Sequence, residues 1–448
     1  MIQLQQFLQR EELKMARARL NGLYFLLFGS IVFIFLGVAL ESTSEYTMED
    51  FGVTYYPAKC LIQHCDPYME TEVWRVIRAD DNYRPPDPAN ILRFAAPYVY
   101  PPTAFSFMVP FAMLPWGPAH VLWLTLTMGG LIIASFLIWN LAEYSDPIVS
   151  GALIGFFLAG SEVIIILCNP AGIAISLCVV AVWCFVRERF IPVGILCLAV
   201  SLALKPQDSG LVWLYFLLAG GVYRKRALQT LIVAVVLSLP TVLWVSHVAP
   251  HWMLEWQSNV LTYSAPGGVN DPSLAASRVQ GRRGVISLQA VFSVFSDNPY
   301  IYNLARYLVC ATLLLAWAVR TLRSRISQLG TWLALASIAA LSMLLAGHHL
   351  YDTKLLLLTV PACAMLWTEG GLIGWLALLL NTAGFMLTGD LLWAIVISFI
   401  SSPHLSTTTW SGKILMDVQV FSTPLILLAM GLFYLWIYVL RDPERGLA

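Results

Sequence analysis

Two adjacent carboxylates, Glu49 and Asp50, lie nine and ten residues after Leu40, which ends the first long apolar run of the chain. This spacing predicts a position near a membrane surface. A carboxylate there can act as a base on a group in water while the protein holds another group in lipid. By itself, such a pair is more typical of a solvated loop. The polar residues further along the chain favour a catalytic site.

The composition indicates a polytopic membrane protein. Of the 448 residues, 58% are hydrophobic and 12% are charged, whereas soluble domains carry about 25% charged residues. The mean hydropathy is +0.73, and 16 Trp with 18 Tyr are typical of aromatic belts at the two membrane surfaces. Lys and Arg together number 26, as do Asp and Glu. This balance does not indicate a nucleic-acid partner.

Basic residues predict the orientation of the first span, residues 22–40. Arg10, Lys14, Arg17 and Arg19 precede it, so the positive-inside rule places the N-terminus in the cytoplasm. The long polar loop that follows the span, residues 41–100, is then expected on the outer face.

Further basic clusters alternate with polar corners. Arg187 with Arg189 and the cluster 224–226 are expected inside, which puts the corner at Lys205 and the long loop 249–299 outside. The apolar runs lie at about 22–40, 103–116, 119–140, 148–167, 170–186, 190–204, 208–221, 227–248, 300–320, 329–347, 350–367, 371–389 and 414–440. A weaker run at 391–402 is expected to be re-entrant or interfacial.

One of the five runs between Arg19 and Arg187 cannot cross, because both clusters are placed on the same side. The run 103–116 is the shortest, and 14 helical residues reach about 21 Å against about 30 Å of hydrocarbon. The run 148–167 is the rival, since Gly160-Ser-Glu162 interrupts it. We predict an all-α polytopic membrane protein with about twelve transmembrane helices, give or take one. It forms a single membrane domain over residues 1–448, and its long external loops carry short surface helices.

The eight cysteines form no pattern typical of metal ligands. Cys60 and Cys65 share the first external loop, and whether they form a disulfide stays open. The other six lie in apolar runs and are predicted to be small buried residues. They are Cys168, Cys178, Cys184, Cys197, Cys310 and Cys363.

Two groups of cations fall on the predicted outer face. Lys205 ends an apolar run before Pro206. It either reaches to the membrane surface as an anchor or binds an anionic lipid headgroup. Positive charge on the outer face opposes the positive-inside bias, which favours the second interpretation. Arg282 and Arg283 form another external basic pair, with a solvated loop as the alternative.

His348 and His349 stand at the end of a predicted span, in the segment HHLYD. Adjacent histidines do not easily point at one metal ion, so no metal site is predicted. A histidine that donates to a phosphate or orients a hydroxyl is the favoured interpretation, with interfacial packing as the alternative. Asp352 follows His348 by four residues, so the two share a face on a helix.

Five motifs occur in an order that resembles glycosyltransferase family 87: DFGVTYYPAK, CDPY, YVYPP, LKPQ and HHLYD. The resemblance implies a GT-C-type membrane fold and an enzyme that takes a sugar, mannose or a related one, from a polyprenyl phosphate. It places the catalytic base on Asp50 and aligns the family's KPQ lysine with Lys205. The family's late histidine falls on His348 or His349.

One corner departs from this family. Relatives commonly carry a Gly-Gln pair before a helix where this chain has Cys168-Asn169-Pro170. Asn169 is predicted to contact the substrate at this corner. Tyr100 of the YPP corner and Asp352 are further predicted substrate contacts.

Asp50 is expected to be the base rather than Glu49. Neighbouring residues on a helix point about 100° apart, so one of the two can face the site. Phe51, Tyr55 and Tyr56 follow Asp50 and would form an aromatic wall suited to a sugar ring. A partly apolar pocket would raise the pKa of Asp50 towards the working pH.

The predicted reaction is a single displacement that inverts the anomeric centre. Asp50 deprotonates the acceptor hydroxyl, and Lys205 stabilises the departing phosphate together with a histidine or arginine from His348, His349, Arg282 or Arg283. No metal or other cofactor is expected. The predicted partners are a polyprenyl-phosphate donor, a glycolipid or glycan acceptor and membrane lipid, with the protein a monomer in the plasma (inner) membrane and its site outside.

Two alternatives to this function stay open. A lipid or solute transporter would carry charged residues in mid-span, where Glu162 is the exception in this chain. The second alternative is an enzyme of the same fold that uses a lipid-linked pentose as the donor.

Overall fold

The computed structural model describes residues 2–44, 47–80, 96–280, 285–296, 298–345, 347–390 and 410–441. These segments are helical and contain no strand, apart from an isolated backbone bridge between Ile286 and His348. The predicted all-α class is confirmed.

The helices form three groups along the chain. The first group is α1 (Ile2–Thr43), α2 (Glu49–Ile62), α3 (Glu70–Arg78), a 3-10 turn at Pro102–Ala104 and α4 (Phe105–Ala112). The second is α5 (Trp116–Ala142), α6 (Pro147–Leu158), α7 (Val163–Leu167), α8 (Ala171–Arg187), α9 (Ile191–Leu204), α10 (Pro206–Ala219) and α11 (Gly221–Val248). The third is α12 (Trp252–Ser264), α13 (Leu274–Gln280), α14 (Leu288–Phe292), α15 (Pro299–Arg323), α16 (Gln328–Leu345), a 3-10 helix at Leu350–Thr359, α17 (Val360–Glu369), α18 (Gly371–Thr388) and α19 (Trp410–Leu440).

Eight of the described helices are long and apolar enough to cross a membrane, so the chain is a multi-pass membrane protein. Four shorter apolar helices accompany them, at Pro102–Ala112, Pro147–Leu158, Ala171–Arg187 and Ile191–Leu204. The total of about twelve spans stays a prediction, because length and composition alone do not decide which short helices cross. The weak run at 391–402 lies outside the described residues.

Helices α6 and α7 run parallel to α1 at very close approach. A Cβ on Gly29 would lie 2.2 Å from the Gly155 carbonyl oxygen, so only glycine lets the two backbones meet there. Similar contacts join Gly22 to Pro147 and Gly37 to Ile165. The residue numbers rise together on both partners, as they do for helices that run in the same direction. Fifteen residues of α1 correspond to about 22 Å. The run 148–167 therefore accompanies a span, and the geometry favours 103–116 as the run that does not cross.

The two long polar loops fold against each other. Asn259 on α12 donates its side-chain N–H groups to the Tyr68 and Tyr98 carbonyls, over 3.0 and 3.2 Å. Trp256 on the same helix donates to the Val99 carbonyl over 2.8 Å. Within the first loop, Cys60 and Cys65 form a disulfide. The loops thus carry short packed helices, as predicted.

Basic side chains bind backbone carbonyls where several helices meet at their other ends. Arg187, the last residue of α8, donates to the Asn140 carbonyl over 2.7 Å. Arg226 donates to the Phe185 carbonyl over 2.7 Å. We call this end of the bundle the basic face and the end that carries Asp50 the site face. Residues 171–187 of α8 connect the two faces over about 25 Å.

Candidate active site

The first turn of α2 positions Asp50. Met48, in the left-handed region at φ 61°, precedes the helix. Its backbone N–H donates to the Ile166 carbonyl over 2.8 Å, which ties the start of α2 to the end of α7. A carboxylate in the first turn of a helix is stabilised by the positive end of the helix dipole.

Asn169 brings the turn between α7 and α8 to this carboxylate. Cys168 ends α7 in the left-handed conformation, at φ 50°. The Asn169 side chain then donates its Nδ2–H to Asp50 Oδ2 over 2.9 Å and to the Tyr100 hydroxyl over 3.4 Å. Its Oδ1 accepts from the backbone N–H of Ala171 over 2.8 Å. Asn169 is 1% exposed, so these bonds are made away from water.

Lys205, at the corner between α9 and α10, lies on the other side of Asn169. Its ammonium group donates to Asn169 Oδ1 over 3.3 Å and to Asp352 Oδ1. Asp208 Oδ2 lies 3.5 Å from the same nitrogen. The Lys205 ammonium also lies 4.9 Å from the centre of the Tyr351 ring. Lys205 is 4% exposed, so it does not reach the membrane surface as an anchor.

His348 completes a buried charged cluster with two carboxylates. Its Nδ1 lies 3.3 Å from Asp208 and 3.2 Å from Asp352. The backbone N–H of His349 donates to Asp352 over 2.8 Å. Asp208, His348 and Asp352 offer ligand atoms within 4.8 Å of one another, close enough to hold a metal ion. The Lys205 ammonium already lies against both carboxylates and balances part of their charge.

Asp50 differs from this cluster because it keeps partial exposure at the surface. Burial by the surrounding protein raises the pKa of Asp50 to about 7, while the hydrogen bond from Asn169 lowers it and the Glu49 charge raises it. The carboxyl group is therefore poised to gain and lose a proton near neutral pH. A carboxyl group with such a pKa, on a residue that is partly exposed, can act as a general base.

The structure brings together Asp50, Tyr100, Asn169, Lys205 and a group contributed by the HHLYD segment, as predicted for one face. His348 is the inward histidine of that segment, with no exposed surface. His349 instead contacts Asn270 of the second long loop, over 3.0 Å. Arg282 and Arg283 lie outside the described residues.

Tyr55 and Tyr56 do not form the predicted wall of an open site. Both have no exposed surface. The Tyr55 hydroxyl donates to the Leu114 carbonyl over 2.8 Å, and Tyr56 stacks on Trp116 with ring centres 5.5 Å apart. Positions 51 and 55 share one side of α2, about 100° and about 140° from Asp50. That side packs into an apolar cluster with Trp116 and Trp123.

Asp208 is a member of the cluster that the sequence did not single out. It is 1% exposed and stands three residues after Lys205 in the segment KPQD. The i, i+3 spacing on the first turn of α10 was the available signal, because an acid at that spacing can reach back to the preceding lysine.

Comparison with protein families gave a match. The family model of glycosyltransferase family 87 matches residues 98–347, more than half of the chain. The matched segment contains Tyr100, Asn169, Lys205 and Asp208, and it ends one residue before His348. Comparison with curated proteins and with solved structures found no match.

Proposed function

The chain belongs to glycosyltransferase family 87, and from this premise we propose that it transfers a hexose, mannose in the first instance, from a polyprenyl phosphate to a glycolipid or glycan. It is a membrane glycosyltransferase. The proposal adds the donor, the acceptor class and an inverting mechanism with Asp50 as the base.

The observation that carries this proposal is the setting of Asp50. Most of the other charged groups near it are buried and paired, whereas Asp50 is partly exposed. Within the described part of the chain, its carboxylate accepts one hydrogen bond, from the Asn169 amide over 2.9 Å. Its pKa of about 7 matches the requirement that a general base be ionised near the working pH yet retain affinity for a proton.

In the proposed step, the acceptor oxygen attacks the anomeric carbon as Asp50 takes its proton. The new bond is the glycosidic C–O bond. The bond between the anomeric carbon and the phosphate oxygen breaks, and its electron pair leaves with the polyprenyl phosphate. One displacement inverts the anomeric centre, and it requires neither a second carboxylate nucleophile nor a redox partner.

The departing phosphate needs donors or cations. Lys205, His348, His349, Arg282 and Arg283 remain the predicted candidates. Lys205 has three protein partners and His348 has no exposed surface. His349 is partly exposed, which makes it the better placed of the two histidines for a ligand that approaches from the surface.

The proposed location is the plasma membrane, with the site face outside the cytoplasm. The basic clusters at the opposite ends of the helices support this orientation through the positive-inside rule. The Cys60–Cys65 disulfide in the first loop supports it independently, because such bonds persist in oxidising compartments. We propose that the enzyme acts as a monomer.

A defined-donor assay tests the proposal. Purified protein in lipid nanodiscs is given a polyprenyl-phosphate mannose, a polyprenyl-phosphate glucose or a polyprenyl-phosphate pentose, together with a glycolipid acceptor. We expect a glycosylated lipid from the mannose donor by mass spectrometry, with the anomeric configuration inverted by NMR.

The alternative outcomes of this assay bear on different parts of the proposal. Product from the pentose donor alone would replace the hexose with a pentose and leave the mechanism intact. Retention of configuration would exclude the single displacement. If the folded wild-type protein gave no product with any of the three donors, the proposed class of donor would be wrong.

A further inference from the structure

Asn169 presents a fixed end of its amide to Asp50. An ammonium group and a backbone N–H can only donate, so the two contacts to Lys205 and Ala171, at 3.3 and 2.8 Å, both require the amide oxygen. The NH₂ group must therefore point the other way, to the Asp50 carboxylate at 2.9 Å. The orientation follows from the partners and not from an arbitrary choice between oxygen and nitrogen.

Lys205 is enclosed by protein groups in this arrangement and is 4% exposed. Its ammonium group donates hydrogen bonds to Asn169 and Asp352, and it forms an ion pair with Asp208 at 3.5 Å. Because so little of Lys205 is exposed, a phosphate could reach its ammonium group only by breaking one of these contacts. With both carboxylates almost without exposed surface, such a break would leave a buried charge with a lost partner, which is costly.

We propose that Asn169 is a positioning residue that aims a hydrogen-bond donor at Asp50, and that Lys205 acts on the reaction through Asn169 instead of binding the donor phosphate. This proposal rests on the proposed role of Asp50 as the base. An NH₂ group can donate to an ionised carboxylate but cannot accept a proton from a neutral one. Asn169 therefore keeps Asp50 in the form that can remove a proton.

Asn169 and Lys205 oppose the effect of burial on the pKa of Asp50. Burial raises the pKa of Asp50, and the Asn169 hydrogen bond and the Lys205 charge both lower it. The titratable groups that face Asp50 from the surrounding elements are Glu49, Tyr100, Cys168, Lys205, Tyr263, Tyr351 and Asp352. Of these, Glu49 and Asp352 add negative charge and Lys205 adds positive charge, while the phenols and the thiol are neutral near pH 7.

The isosteric variant Asn169→Asp gives the sharpest test. It keeps an oxygen for Lys205 and Ala171 but replaces the donor that faces Asp50 with a second acceptor. We expect the acidic limb of kcat/KM to move to higher pH by about one to two units, with much of the activity restored above the shifted limb. Asn169→Ser, which keeps a cap for Ala171 but is too short to bond Asp50, serves as a second variant where the Asp variant does not fold.

Lys205→Met separates positioning from phosphate binding. If Lys205 acts through Asn169, the acidic limb moves up while the KM for the polyprenyl-phosphate donor, measured above the limb, stays within about twofold. A phosphate contact would instead raise the donor KM at every pH and leave the limb in place, which would overturn the proposal.

A chemical readout follows Asp50 without turnover. Dicyclohexylcarbodiimide reacts with protonated carboxyl groups, and mass spectrometry can follow its addition to Asp50 as a function of pH. The midpoint should rise in Asn169→Asp and in Lys205→Met. The matched control is Asn381→Leu, which removes another fully buried asparagine that bonds Thr359 and Tyr434. It should lower stability without moving the midpoint.

Asp50→Asn distinguishes failure of this proposal from failure of the proposed function. If Asp50→Asn keeps wild-type activity, Asp50 is not the base and both proposals are wrong. If Asp50→Asn is inactive but neither the limb nor the labelling midpoint moves in the Asn169 and Lys205 variants, the positioning role alone is wrong. A loss of activity in Asn169→Asp that is equal at every pH would likewise overturn it.

Discussion

The two ends of α8 use buried polar groups in opposite ways. At the basic face, Arg187 and Arg226 each bind a backbone carbonyl over 2.7 Å. At the site face, Asn169 and Lys205 bind side chains, among them three carboxylates within one connected network. Cations that bind the carbonyls of helix ends are a common way to satisfy those ends. Two acids against one lysine, with a third acid linked to them through Asn169, serve no such need.

The two faces differ in whether their buried charged groups can take part in proton transfer. An arginine on a carbonyl does not change its protonation state near neutral pH, so the basic face contributes orientation and stability. The site face holds acids and a histidine close to one another, and one of those acids, Asp50, has its pKa raised to about 7. Perturbed acids of this kind are typical of functional sites.

The largest effect is expected from a substitution that disrupts the buried charged cluster of the site face. Asp352→Ala would leave Lys205 and His348 each without one charged partner and the His349 N–H without its acceptor. Loss of one member of a buried pair costs roughly 3–5 kcal/mol. We expect a clear fall in the thermal midpoint in detergent, measured by intrinsic fluorescence. An unchanged midpoint would show that the cluster contributes little to stability.

Asp50→Asn should affect activity and not the fold. Transfer is expected to fall by at least ~10²-fold in the nanodisc assay, whereas Glu49→Gln, the neighbouring control, should cost far less. Because burial raises the pKa of Asp50, ionising it opposes folding as pH rises through about 7. The Asn variant should therefore be no less stable than wild type at pH 8. An active Asn variant beside an inactive Glu49→Gln would move the base to Glu49.

The matching change at the basic face is Arg226→Ala. Arg226 is 7% exposed and also contacts Glu188 over 3.3 Å. Its removal leaves the Phe185 carbonyl unsatisfied, which costs about 1–3 kcal/mol. We expect a moderate fall in the thermal midpoint with the pH profile of kcat/KM unchanged. A shifted profile would contradict the separation of roles between the two faces.

The smallest effect is expected from metal removal. Lys205 already lies against both carboxylates of the group Asp208, His348 and Asp352. Dialysis against EDTA should therefore leave turnover within about twofold, as for a site that uses fixed protein charges. Loss of activity that zinc or manganese restores would show that the cluster works with a metal ion.

The sequence alone determined the class of the protein and the face of its site. Apolar run length predicts helices that cross a membrane, and basic clusters predict which ends lie together. Because helix ends alternate between two faces, Asp50, Asn169, Lys205 and His348 could be assigned to one face without knowing the fold. The motif order carried the resemblance to the family in the same way, since it depends on local residue types.

The tertiary structure alone decided which of these residues touch. Asp50 and Asn169 are 119 residues apart in the chain, and Lys205 and Asp352 are 147 apart; no local period relates them. Tyr55 and Tyr56 illustrate the same limit, because helix geometry states which residues share a side of α2 but not what that side meets. It meets Trp116, since burying large aromatic rings together removes much apolar surface from water.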